Sequence, residues 1–115
     1  MSYSILLAAL IVSVSADYIT ISGTFHCDRN PNAAVYIELI EKEKLSEDVL
    51  NWKLVSANEK FEIVGYDDEF FGIHPCLKIR NNCNEEQVEQ VYDFGRRNGE
   101  VVVHMGDIEL QHEYQ

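Results

Sequence analysis

A chain of 115 residues with 20 acidic against 9 basic side chains carries a formal net charge of −11 at pH 7. That balance argues against a nucleic-acid binder, in which Lys and Arg must neutralise phosphates, and against unassisted adhesion to an anionic lipid surface. The length is that of one domain with one core, and no internal repeat or low-complexity segment divides it.

Residues 1–16 read as a targeting segment. The run "ILLAALIVSV" is too short to span a bilayer and suits the apolar core of a secretory signal peptide. Val14 and Ala16 occupy the minus-three and minus-one places for cleavage after Ala16, although no Lys or Arg precedes the run. A signal peptide over 1–16 and a mature domain over 17–115 are therefore expected, leaving 115 − 16 = 99 residues with all of the charge. No other stretch is long and apolar enough to cross a membrane.

The mature part opens with a clean alternation. Ile19, Ile21, Gly23, Phe25 and Cys27 fall on one parity, and Thr20, Ser22, Thr24 and His26 on the other, which predicts a half-buried strand. "DRNPN" breaks it with turn residues. Val35, Ile37 and Leu39 predict a second strand, with Tyr36 and Glu38 facing away. The charged stretch "EKEKLSEDVLN" (41–51) predicts a loop, with one helical turn begun by Ser46 as N-cap. Trp52 and Leu54 mark a third strand, and Phe61 and Ile63 a fourth, joined by a turn at "ANEK". An irregular connection over 65–75 leads to a fifth strand marked by Leu77 and Ile79. After Cys83 the pattern fits helix or strand, and Asn98-Gly99, a strong hairpin signal, decides for strand. A sixth strand is expected to end near Arg97 and a seventh to run from Glu100 towards Leu110, bent or bulged at Gly106. About seven short strands predict an all-β, antiparallel β-sandwich.

Strand parity separates the three cysteines. Cys27 shares the inward parity of Ile19 and Phe25, and Cys83 that of Leu77 and Ile79, whereas Cys76 lies on the opposite parity beside Lys78 and Arg80. Two inward sulfurs from different strands can meet inside a sandwich; an outward one needs a backbone twist to join them. A Cys27–Cys83 disulfide follows. Cys76 is left as a free thiol, tucked under a loop, or as an intermolecular one linking a homodimer.

The order and spacing of several stretches resemble the nematode transthyretin-like family of small secreted proteins. They are "ISGTFHC", "NPNAAVYIELIEKE", "EDVLNWKLVSANEKFEIVG", "EFFGIHPCLKIRNNCNE" and "MGDIEL". The resemblance implies a transthyretin-like, immunoglobulin-like sandwich of two sheets, with Cys27 and Cys83 as its disulfide partners. The wider superfamily includes a hydrolase of 5-hydroxyisourate. That activity needs a basic and histidine cluster and a Tyr-Arg-Gly-Ser motif, which does not occur in this sequence. The hydrolase's first histidine position falls on Ser22, while His104 stands near a later one.

No catalytic residue, cofactor or metal ligand set is expected from this pattern. His26, His74, His104 and His112 are scattered, without the close-spaced pairs of a zinc site. Asp67, Asp68 and Glu69 form an acidic run, as do Glu85 and Glu86; without calcium-loop spacing they read as solvated loops. The expected function is a secreted, non-enzymatic binding or signalling module for an extracellular or cell-surface protein or lipid. The alternatives are a small hydrolase using His104 and a matrix component cross-linked through Cys76. Few apolar residues fall on the outward parity; Tyr36, Ile40 and Val55 are the candidates for a small contact patch.

Overall fold

The computed structural model describes residues 17–67, 72–84 and 86–110. The expected signal peptide, Asp68 and Glu69 of one acidic run, Glu85 of the other, and His112 lie outside the described residues. Seven strands follow in chain order: β1 (Asp17–His26), β2 (Ala34–Lys42), β3 (Glu47–Ser56), β4 (Lys60–Asp67), β5 (Pro75–Asn84), β6 (Glu86–Asp93) and β7 (Val101–Glu109). They form a three-stranded sheet in the order β4-β1-β7 and a four-stranded sheet in the order β3-β2-β5-β6. The fold is all-β, a sandwich of two sheets. No helix among the described residues is long and apolar enough to cross a membrane.

The alternation in the sequence builds the core. Ile19, Ile21 and Phe25 of β1, Val35, Ile37 and Leu39 of β2, Ile63 of β4, and Leu77 and Ile79 of β5 are all buried between the sheets. Phe25 stacks on Phe61 with ring centroids 4.6 Å apart and planes 3° from parallel. Where β4 crosses β2 the sheets approach so closely that a Cβ on Gly65 would lie 2.6 Å from Leu39 Cδ2, so any side chain there would have to displace Leu39. Cys27 and Cys83 are joined by a disulfide, S–S 1.93 Å and Cα–Cα 5.9 Å, between the chain just past the end of β1 and the end of β5. It ties one sheet to the other.

Four details differ from the expectation. First, the charged stretch 41–51 is mostly strand. Its turn is short, closed by Glu43 N–H donating to Ser46 O at 2.9 Å, and Ser46 Oγ donates to Glu43 rather than capping a helix. Pairing with β2 from Lys42↔Glu47 onwards outweighs the weak helical propensity of five residues.

Second, Trp52 and Leu54 face outward. The inward positions of β3 hold Asn51 and Lys53, paired with Leu39 and Ile37. These polar side chains reach across to the free edge of β4: Asn51 Nδ2 donates to Val64 O at 2.8 Å, and Lys53 Nζ to Glu62 O at 2.7 Å. They satisfy edge carbonyls that would otherwise invite another strand. A register shift between Leu39 and Ile40 then puts Ile40, Val49 and Cys76 in one cross-strand row.

Third, β6 and β7 do not form a hairpin. β6 ends at Asp93 on the four-stranded sheet, and β7 belongs to the other. Gly99 has a turn glycine's φ of +75°, but the chain crosses between sheets there, held by reciprocal backbone bonds of Ile73 and Arg97 at 2.8 and 2.7 Å. β7 instead lays Val101 and Val103 beside Ile19 and Ile21. Burial of that apolar row outweighs a local turn preference.

Fourth, the β1–β7 pair is parallel, whereas the remaining strand pairs are antiparallel. The expected bulge at Gly106 is present. Gly106 has φ +71°, and the β1–β7 register shifts between Ser22 and Thr24, opposite residues 104–107.

Candidate functional site

Two outer faces carry the side chains that the core does not use. On the four-stranded sheet the register aligns Trp52, Glu38, Lys78 and Val91 in one row and Leu54, Tyr36, Arg80 and Glu89 in the next. Trp52 and Leu54 remain 61% and 65% exposed on the edge strand β3. The Trp52 and Tyr36 rings lie 6.1 Å apart, and the Arg80 guanidinium sits 5.9 Å from the Tyr36 ring centre. A shallow hollow of about 370 Å³ opens between Tyr36, Leu54, Arg80 and Asn82.

The charges on this face are paired. Arg80 Nε donates to Glu89 at 2.8 Å, and Lys78 Nζ to Glu47 at 2.8 Å. The hydrogen bond to Glu89 raises the Arg80 pKa, and the same bond lowers that of Glu89. The bond to Glu47 likewise raises Lys78. Tyr36 OH donates to Glu38 at 2.9 Å, which raises the phenol. Arg80, Glu89 and Glu47 are exposed, and Lys78, Tyr36 and Glu38 are half-buried on the solvent-facing side, so each pair adds little to stability. Their effect is to hold Tyr36 and Arg80 in one arrangement beside Trp52.

The expected outward patch of Tyr36, Ile40 and Val55 is thus differently composed. Tyr36 belongs to it, Ile40 is buried on that side, and Val55 packs half-buried against the core. Trp52 and Leu54 were hidden because their alternation, taken alone, is that of core residues. The warning in the sequence is that Asn51 and Lys53 flank Trp52.

On the three-stranded sheet, Ser22 and His104 are cross-strand partners, with Ser22 Oγ 2.9 Å from His104 Nδ1. A hollow of about 530 Å³ beside them is lined also by Thr24, Lys60 and Glu62. Among the described residues no acid hydrogen-bonds the other ring nitrogen of His104. A catalytic triad would add an acid there to orient the imidazole.

The other described histidines each meet a carboxylate. His74 Nε2 lies 2.6 Å from Asp93 Oδ1. His26 Nε2 lies 2.8 Å from Asp107 Oδ1, and its Nδ1 lies 3.2 Å from Asn58 Oδ1. The Asn58 amide nitrogen donates to Cys27 O and Pro31 O, which leaves its oxygen facing the ring. Acceptors at both ring nitrogens favour imidazolium, so the Asp107 hydrogen bond first, then that of Asn58, raise the His26 pKa above 6.5. Because the folded value is raised, this contribution is fully present below the unfolded value and is lost as pH rises through the folded one. NMR titration of His26 is expected to give a midpoint above 6.5 that falls in Asp107→Asn. A midpoint indifferent to that substitution would contradict the assignment.

Cys76 is on the outward side of β5, as parity requires, yet only 2% exposed. Burial first and the Asp93 carboxylate second push its thiol pKa up, so it is held protonated and poorly nucleophilic. A disulfide to a second molecule would first have to expose it.

The architecture defines a small disulfide-stapled β-sandwich whose candidate sites lie on its outer sheet faces. The model of the transthyretin-like family (TTR-52) matches residues 22–102. Transthyretin-like protein 16 of Caenorhabditis elegans is 34% identical over 83 residues, 70% of this chain and 63% of that protein. The chain belongs to the transthyretin-like family. It spans less than two thirds of the length of that relative. Among solved structures, a 9R-lipoxygenase from Cyanothece is similar at a TM-score of 0.42 and 16% identity, over 88% of this chain and 17% of the lipoxygenase.

Proposed function

We propose that this protein is a secreted, non-enzymatic extracellular binding module whose four-stranded sheet presents the contact face to a protein partner. The observation that carries this reading is the exposure of Trp52 and Leu54 beside the ordered Tyr36–Arg80 pair. Trp, Tyr and Arg are the types that most often dominate protein interfaces, and clustered exposed apolar side chains on a small domain mark a contact surface. Secretion is supported by the targeting pattern of residues 1–16 and by a disulfide, which persists in oxidising compartments. The net charge of −11 disfavours an anionic lipid partner.

Trp52→Ala is expected to lower partner affinity by about thirtyfold or more, as for a hot-spot residue. It is expected to leave thermal stability nearly unchanged, because the side chain is exposed. Immobilised wild-type and variant chains would be compared for capture from extracellular fluid. Equal capture by both, or capture of lipid vesicles alone, would count against the reading.

The 2.9 Å contact of Ser22 with His104 supports a second reading, a small hydrolase. Turnover of 5-hydroxyisourate that His104→Ala abolishes would put it first.

A further inference from the structure

The geometry points to a site for a divalent transition-metal ion of the zinc type, built from His74, Cys76 and Asp93 on the outer side of the four-stranded sheet. The backbone brings the three together. His74 and Cys76 flank Pro75 and, two residues apart, project to the same side of the chain as it enters β5. Asp93, the last residue of β6, is the cross-strand partner of Cys76. One donor atom from each side chain lies within 4.8 Å of the other two.

The donor set selects the ion. Imidazole nitrogen, thiolate sulfur and carboxylate oxygen are the three protein ligands zinc takes; the Cys76 thiol would give up its proton to solvent as the metal–sulfur bond forms. Calcium and magnesium prefer oxygen and have no use for the sulfur. Three protein ligands leave a fourth tetrahedral position for water or for a group on a partner.

The ligands are held by neighbours that metal binding need not disturb. Lys42 N–H donates to His74 O at 2.9 Å, and Phe94 N–H to Pro75 O at 3.1 Å. Gly95 N–H donates to Asp93 Oδ1 at 2.8 Å, in the manner of an outer-shell partner. The buried Cys76 sulfur supplies the floor, while His74 and Asp93, with side chains 26% and 46% exposed, form the side open to solvent.

His74 Nε2 and Asp93 Oδ1 are now 2.6 Å apart. Tetrahedral bonds to zinc would set them about 3.3 Å apart. That opening is within a small rotation of two partly exposed side chains. The ion would take the place of the hydrogen bond.

The test uses the full, untagged, disulfide-intact chain with zinc chloride or cobalt(II) chloride as the only added ligand. Calorimetric titration is expected to show saturable binding of a single equivalent of zinc. Cobalt(II) is expected to give a thiolate-to-metal charge-transfer band, which zinc then removes. Cys76→Ser should abolish that band. His74→Gln and Asp93→Asn alter only partly exposed side chains and are expected to melt as the wild type does. Each should weaken zinc by more than about tenfold, the least that loss of even a supporting partner costs such a site.

Glu41, Glu43 and Asp48 form a second group of close carboxylates, so a Glu43→Gln/Asp48→Asn variant is the control and should bind zinc as the wild type does. Absence of stoichiometric binding, a cobalt spectrum without the thiolate band, unchanged affinity in both His74→Gln and Asp93→Asn, or loss of binding in the control variant instead would each overturn the assignment.

Discussion

Replacing Cys83 with serine is expected to lower the unfolding free energy by about 4 kcal/mol on the chain-entropy account, in which a cross-link stabilises by restricting the unfolded chain. Cys27 and Cys83 are 56 residues apart, so the loop they close is long. The two sulfurs also join different sheets at their ends, and both residues are at most 5% exposed. A serine hydroxyl in that site adds the cost of a buried polar group without a designed partner. Urea denaturation of the wild type, the Cys83→Ser variant and a Cys27→Ala/Cys83→Ala double variant separates the two costs. The double variant should retain the entropic loss and lose the polar one. The Cys27 thiol freed in Cys83→Ser is not expected to pair with Cys76, whose sulfur lies on the opposite side of the four-stranded sheet. A loss below about 1 kcal/mol in both variants would mean that the cross-link adds little to the fold.

Phe25→Ala is expected to cost about 3–5 kcal/mol, the range for deleting a large aromatic from a packed core. Phe25 is fully buried and stacked on Phe61, and the two rings come from adjacent strands of one sheet. Truncation leaves a void bounded by Phe61, which loses its stacking partner as well as its contacts. The sandwich cannot close that void by local collapse, because β1 is the central strand of its sheet and is pinned by hydrogen bonds on both edges. Phe25→Leu keeps most of the volume and should lose much less. Equal losses for the two substitutions would show that the stacking, rather than the filled volume, is what stabilises this region.

The same central strand shows what the sequence made legible. β1 alternates without interruption, so its inward set and Cys27 could be read from parity alone. β5 carries the same signal through Leu77, Ile79 and Cys83. β3 does not. Its apolar residues alternate as core residues do, but its polar residues are needed inside to close the edge of β4, and that need exists only once two sheets face each other. The β6–β7 link was misread for a related reason. Asn98-Gly99 describes a turn correctly, whereas the partner of β7 is chosen by apolar burial against a strand at the other end of the chain. The proposed metal ligands fall between these cases. His74-Pro75-Cys76 stands in the sequence but does not read there as a ligand pair, and Asp93 joins it only through the β5–β6 register. Trp52 was legible as a strand residue and not as a surface one.

The parallel pairing of β1 with β7 has a consequence for how the molecule is made. Ser22 and His104, adjacent in the sheet, are 82 residues apart in the chain. Of the seven described strands, the ribosome delivers β1 first and β7 last. Every other strand, and both halves of the disulfide, are present before β1 can be flanked on its second side. Until then β1 carries an open row of backbone donors and acceptors, the kind of edge on which chains aggregate. Non-local closure of this sort is slow compared with hairpin formation. β7 therefore acts as a seal on β1, and the interval in which that edge lies open spans the synthesis of the five strands between them.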